Sequence, residues 1–143
     1  MYNFKRALGI AFCLYLSTFV VGIVCAMLVP DKTVNNLPNE YWYISMAASV
    51  ILTWLFATWY FKSPSVAPSA KSGFLFGVIA VVLSFVLDFV FFWLGNMAAA
   101  EGEKMDLMEY YSDYRFWVVV ALVIVTSKVV GHVKRPRASG PVL

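Results

Sequence analysis

Four long runs of apolar residues, separated by short polar stretches, dominate the pattern of this chain. They cover residues 7–29, 42–61, 73–95 and 116–133. Each run is about 20 residues long, the length that an α-helix needs to cross a hydrocarbon layer of about 30 Å. The pattern therefore predicts an all-α fold in which residues 1–143 form a single transmembrane domain. We expect an integral membrane four-helix bundle with short loops.

The first apolar run also has features of a cleavable signal peptide, since Lys5 and Arg6 precede it. However, it is longer than the apolar core of about 7 to 15 residues that such peptides contain, and no small-x-small cleavage site follows it. The positions before Cys25 also lack the small residue that a lipoprotein site needs. We therefore expect the run to be retained as a transmembrane helix.

The polar stretches are too short to hold a further domain. Residues 62–72 carry only positive charge, and residues 134–143 form a basic tail that we expect to be flexible. Residues 101–115 differ, because acidic side chains alternate there with Met, Leu and Tyr. This alternation predicts a short amphipathic helix at the membrane interface, between the third and fourth spans.

Composition excludes an ordinary soluble domain. Of the 143 residues, 62% are hydrophobic and 13% are charged, whereas soluble domains are about half apolar and a quarter charged. The net charge of +3 does not indicate a nucleic-acid-binding protein, because phosphate binding needs a clustered basic face that apolar helices cannot carry. The lipid bilayer is the expected environment.

The charges are divided unequally between the two ends of the predicted bundle. One end has eight cations and no acid: Lys5, Arg6, Lys62, Lys71, Lys128, Lys134, Arg135 and Arg137. The other end has three cations and seven acids. Because short loops rich in Lys and Arg stay in the cytoplasm, both termini are predicted to be cytoplasmic, in a plasma (inner) membrane. We expect Lys128, Lys134, Arg135 and Arg137 to contact lipid headgroups.

The chain offers little of the chemistry that enzymes and metal sites require. Cys13 and Cys25 lie twelve residues apart on one predicted helix, or about 18 Å, which is too far for a disulfide. The single histidine, His132, has no ligand-type neighbour in the sequence. No HExxH, GxSxG or glycine-rich phosphate loop is present. We expect no metal, no cofactor and no enzymatic activity.

Small residues recur at helical spacing along the spans. On the third span they include Gly73, Gly77 and Ala80, and on the first span Thr18 and Gly22. Helices in lipid associate through such small residues and through interhelical hydrogen bonds. We interpret these stripes as the packing seam of the bundle, with a polar pathway or a homodimer face as the alternative.

Asp88 is the one acid inside a predicted span. A carboxylate in that position costs several kcal/mol unless it is paired or protonated. We expect Ser84 and Ser49 to donate hydrogen bonds to it, with Thr53 nearby, and Arg115 to reach it from the outer edge. Three roles remain open: a packing residue within the bundle, a proton or cation site, and a contact with a partner's helix.

Two functions follow from these alternatives. The first is a non-enzymatic accessory subunit or modulator of a membrane protein complex, with another membrane protein as its partner. The second is a small proton- or cation-coupled transporter that works as a homo-oligomer, in which Asp88 is the coupling site and Ser49, Thr53 and Ser84 line the route.

Overall fold

The fold was taken from a computed structural model, which describes residues 3–28, 39–98 and 107–135. The helices found there are α1 (Phe4–Leu28), α2 (Asn39–Phe61), α3 (Ala70–Ala98), α4 (Leu107–Ser112) and α5 (Tyr114–Val133). Four of them, α1, α2, α3 and α5, are long and apolar enough to cross a membrane. The all-α prediction with four helices of spanning length is therefore confirmed. Each long helix begins two or three residues before the predicted apolar run.

The four long helices pack in a ring. Helix α1 contacts α2 and α3, and α5 contacts the same two helices from the other side, so α2 and α3 lie diagonally opposite. A core of buried residues lies towards the end where α1 starts and α2 finishes: Ala7, Ile10, Ala11, Leu14, Ala57, Tyr60, Phe61, Val66, Phe76, Ala80 and Val130. Many large apolar side chains on the outer faces remain exposed.

The start of α1 is fastened to the end of α2. Asn3 caps α1, because its side-chain oxygen accepts a hydrogen bond of 3.0 Å from the Arg6 amide. The guanidinium of Arg6 donates to the carbonyl oxygens of Trp59 at 2.8 Å and Tyr60 at 3.2 Å. The last carbonyls of a helix lack partners within the helix, so Arg6 supplies donors that α2 itself does not have.

A reciprocal cap fixes the start of α3. The Ser72 amide donates to the Ser69 hydroxyl oxygen, and the Ser69 amide donates to the Ser72 hydroxyl oxygen, each at 3.0 Å. This is the arrangement of a capping box, in which two side chains satisfy free amides of the first turn. The cap therefore fixes the first turn of α3, which leads into Gly73.

Helices α3 and α5 make the closest helix contact in the described part of the chain. A side chain on Gly73 would collide with the carbonyl oxygen of Ser127, and one on Gly131 would collide with that of Ser69. At Gly77 an added Cβ would lie 2.9 Å from the Cα of Ile124. The backbones approach this closely because the glycines have no side chains, as is common for helices in membranes.

A short helix precedes α5 in the region where the sequence predicts an amphipathic segment. Helix α4 leads into Asp113, which caps α5 by accepting a hydrogen bond of 2.9 Å from the Arg115 amide. Residues 101–106 of the predicted segment lie outside the described residues, as does Arg137 with the rest of the tail from residue 136 onwards.

Candidate functional site

Asp88 is held by a residue that the sequence did not point to. Its carboxylate oxygen Oδ1 accepts a hydrogen bond of 2.8 Å from the hydroxyl of Tyr15 on α1. Tyr15 is buried, with 4% of its surface exposed. Its ring stacks on Phe19 and Phe91 at centroid distances of 6.0 and 6.1 Å. The phenol is thus fixed by packing, and its hydroxyl joins α1 to α3 through the acid.

Three further tyrosines lie within electrostatic range of Asp88: Tyr41 at the start of α2, and Tyr110 and Tyr111 on α4. The hydroxyl of Tyr111 is buried and faces this carboxylate without completing a hydrogen bond of good geometry. Burial, followed by the negative charge of Asp88, raises the pKa of Tyr111 to about 12. Burial and neighbouring charge also raise the pKa of Tyr110. Helix α4 therefore brings neutral phenols to the acid.

Ser84, one of the expected donors to Asp88, bonds elsewhere. Ser84 donates its single hydroxyl proton to the carbonyl of Ala80 at 2.9 Å, within its own helix, as short hydroxyl side chains often do. Ser49 and Thr53 are buried on α2, 5% and 0% exposed. The extensive contacts of α3 are with α1 and α5 and not with α2. The predicted hydrogen bond from Ser84 to Asp88 is therefore wrong, and the one from Ser49 stays a prediction.

Arg115 does not reach down to Asp88 either. It forms hydrogen bonds to both carboxylate oxygens of Asp113, the shortest at 2.6 Å, and to the side-chain oxygen of Asn39, also at 2.6 Å. Its guanidinium carbon lies 5.2 Å from the ring centroid of Trp42, which stacks on Tyr110 at 5.9 Å. The hydrogen bonds from Arg115 lower the pKa of Asp113. Arg115 thus joins the starts of α2 and α5.

The other predicted packing residues fall at two places. Gly73, Gly77 and Ala80 are on α3, where the two glycines face α5 and Ala80 is part of the buried core. On α1, Thr18 donates to the carbonyl of Tyr15 at 2.8 Å, and an added Cβ at Gly22 would lie 3.6 Å from the Tyr41 hydroxyl. Gly73 and Gly77 therefore face α5, whereas Gly22 approaches α2.

The cations predicted to contact headgroups are placed at the surface where they are described. Lys128, Lys134 and Arg135 are exposed. Among the residues that the structure describes, the one salt bridge joins Arg115 and Asp113. The same residues include no group of three His, Cys, Asp or Glu side chains that could hold a metal ion.

No family model, curated protein or solved structure matches this chain.

One signal in the sequence identifies Tyr15 in retrospect. It is the single tyrosine within the apolar run 7–29. A buried tyrosine usually finds a hydrogen-bond partner for its hydroxyl, and in lipid the nearest polar side chain is the natural candidate. Asp88 supplies that partner on a neighbouring helix.

Proposed function

We propose that this chain is a multi-pass protein of the plasma (inner) membrane, a four-helix bundle with both termini in the cytoplasm. Four helices of spanning length and their exposed apolar outer faces support this location. The contact of Arg6 with Trp59 and that of Ser69 with Gly131 bring the start of α1, the end of α2, the start of α3 and the end of α5 to one end. That end carries the excess of Lys and Arg, which favours the cytoplasmic side.

Within the membrane, we propose that the chain is a non-enzymatic accessory subunit or modulator of a larger membrane protein complex. The hydrogen bond from Tyr15 to Asp88 carries this proposal. An acid that accepts a hydrogen bond from a phenol of its own chain favours a packing role between helices over a transport role. The outer face of α3 beyond Val86 is available to a partner's helix, since Phe89 and Trp93 are 64% and 58% exposed.

Affinity purification of the tagged, full-length chain in a mild detergent tests the proposal. A membrane protein of different sequence recovered in stoichiometric amount is the expected result. A purified species that contains only copies of this chain would contradict it. The outer-face variant Phe89→Ala gives a sharper version, because it should weaken capture of the partner while the chain remains folded.

Two substitutions of Asp88 distinguish a packing role from a role that depends on its titration. Asp88→Asn keeps an oxygen that can accept the Tyr15 hydroxyl, whereas Asp88→Leu removes it. If the acid serves packing, assembly with the partner survives in the Asn variant and is lost in the Leu variant. If Asn abolishes function while assembly persists, the packing role is contradicted.

The runner-up is a proton- or cation-coupled transporter that works as a homo-oligomer through Asp88. The Tyr111 hydroxyl favours it, because this buried group faces the acid without a hydrogen bond of good geometry. Reconstituted vesicles with an imposed pH gradient provide the test, with the pH inside the vesicles as the readout. Proton transport requires proton flux in the native chain and its loss in Asp88→Asn, and no flux in either would rule proton coupling out.

Cysteine labelling in intact cells tests the proposed orientation. Cys13 and Cys25 are first replaced by Ala, and single cysteines are then introduced at Lys62 and Tyr114, which lie at opposite ends of the helices. A membrane-impermeant maleimide should label the cysteine at position 114 and leave the one at position 62 unlabelled until the cells are opened. The reverse pattern would contradict cytoplasmic termini.

A further inference from the structure

An apolar groove runs between α1 and α3 on the outside of the helix ring. It has a volume of about 310 Å³ and is lined by Phe4 and Leu8 on α1 and by residues between Val78 and Val86 on α3. All of its lining residues are apolar, so it is not a site for a polar solute. An apolar lining favours an apolar occupant.

The length of the groove matches one leaflet of a bilayer. Val78 and Val86 are eight residues apart, which is about 12 Å along a helix. One leaflet contributes roughly 15 Å to the hydrocarbon layer. A lipid acyl chain that enters from the end where α1 begins would therefore lie along most of the groove.

Two lysines lie in the first turns of the helices that form the groove. Lys5 is adjacent to Phe4 in the first turn of α1, and Lys71 is in the first turn of α3, seven residues before Val78. Seven residues are about two helical turns, so Lys71 and Val78 lie on the same face of α3. Both lysines are exposed, and neither forms an ion pair within the described part of the chain.

These lysines occupy positions where a cation is unfavourable in the protein alone. The N-terminal end of a helix carries a partial positive charge, which favours acids in the first turn. The first turns of α1 and α3 contain no acid and each contains a lysine. Because Asn3 and the Ser69–Ser72 pair already cap these helices, the two ammonium groups supply the attraction for an external anion.

We propose that this groove binds one anionic phospholipid, with an acyl chain between α1 and α3 and the phosphate beside Lys5 and Lys71. The inference rests on the proposed membrane location and goes beyond the accessory role, because it assigns a lipid site to a face that no described helix covers. It does not require a partner protein.

Native mass spectrometry of the delipidated full-length protein tests the proposal, with phosphatidylglycerol and phosphatidylcholine of identical acyl chains as probes. We expect one phosphatidylglycerol to bind in preference to phosphatidylcholine. Lys5→Gln and Lys71→Gln should each weaken phosphatidylglycerol binding about fivefold, since a cation near an anionic headgroup contributes about 1 kcal/mol and 1.4 kcal/mol corresponds to a factor of ten. Lys62→Gln, at the end of α2, should leave binding unchanged.

A large side chain placed in the groove tests the proposed position of the acyl chain. Val82 is 56% exposed and Val90, on the same helix beyond the groove, is 42% exposed, so tryptophan should be tolerated at both positions. Val82→Trp should reduce phosphatidylglycerol binding at least fivefold, and Val90→Trp should not.

Three results would overturn the lipid site. The first is equal binding of the two lipids. The second is displacement of the lipid by glycerol phosphate, which would place the affinity in the headgroup alone. The third is a lipid-free dimer that Val82→Trp dissociates, since a second copy would then cover the groove. Carbonate extraction of membranes tests the proposed membrane location separately from the lipid site. A chain that carbonate releases does not span the membrane.

Discussion

The hydroxyl of Tyr15 donates a hydrogen bond of 2.8 Å to Asp88, although the two residues are 73 positions apart in the chain. Around this bond the contact is aromatic: Phe19 on α1 stacks on Phe91 of α3 at a centroid distance of 5.1 Å. Aromatic stacking tolerates sliding, whereas a hydrogen bond between two fixed atoms does not. We therefore expect the Tyr15–Asp88 pair to set the register of α1 against α3.

Tyr15→Phe should destabilise the helix assembly without disturbing its packing. The ring remains, and only the hydroxyl is lost, so the expected decrease in the free energy of unfolding is about 0.6–2 kcal/mol, the range for interhelical hydrogen bonds in membranes. Unfolding by SDS in mixed micelles, followed by circular dichroism, measures it. Tyr43→Phe is the control, because Tyr43 is 67% exposed. Equal stability of the two variants would refute a role for the bond.

The location of the acid could be predicted from the sequence, but its partner could not. An acid within an apolar run is visible by composition alone. Its partner depends on which helix lies beside α3, and hydropathy does not encode the order of helices around a ring. Ser49 and Thr53 lie on α2, whereas the extensive contacts of α3 are with α1 and α5.

Gly77→Ala should weaken the contact between α3 and α5. The new methyl group would lie 2.9 Å from the Cα of Ile124 and 3.1 Å from the Cβ of Ser127, so the helices must move apart, at a cost of about 1–3 kcal/mol. Gly95→Ala is a matched control on the same helix, because nothing lies within 4 Å of the added carbon. It should be neutral or stabilise the helix by about 0.5–1 kcal/mol.

The same unfolding measurement compares the two glycine variants. A loss of stability in both, or in neither, would contradict close packing at Gly77. The spacing of Gly73 and Gly77 indicated a packing face on α3, yet its partner face, with Ser127 and Gly131 on α5, was not recognised. That face has only two small residues, one turn apart, and a pattern this short is not recognisable within an apolar run.

Arg6→Gln should loosen the end of α2. It removes the hydrogen bonds of 2.8 and 3.2 Å to the carbonyls of Trp59 and Tyr60, and a partly exposed pair of this kind contributes about 1–2 kcal/mol. Hydrogen exchange should show faster exchange at the last turn of α2 in this variant. Lys5→Gln, one position earlier, is the control in lipid-free detergent. Equal exchange at the last turn of α2 in both variants would contradict a stabilising role for the Arg6 hydrogen bonds.

Asp113 should make the start of α5 sensitive to acid. Hydrogen bonds from the Arg115 side chain hold the pKa of Asp113 below its ordinary value of 3.8. A carboxyl whose pKa is lower in the folded state stabilises the fold above its unfolded pKa, and this contribution is lost as the pH falls through the folded value. Stability should therefore be constant above about pH 5 and decline below about pH 4.

NMR titration of the Asp113 carboxyl carbon in micelles measures this pKa directly. Arg115→Gln should raise the pKa towards 3.8, because the charged donor is removed. Asp113→Asn should abolish the part of the acid sensitivity that Asp113 causes, while its side-chain oxygen still accepts the Arg115 amide and caps α5. If Asp113 titrates at the same pH with and without the arginine, the pairing does not stabilise its charged form.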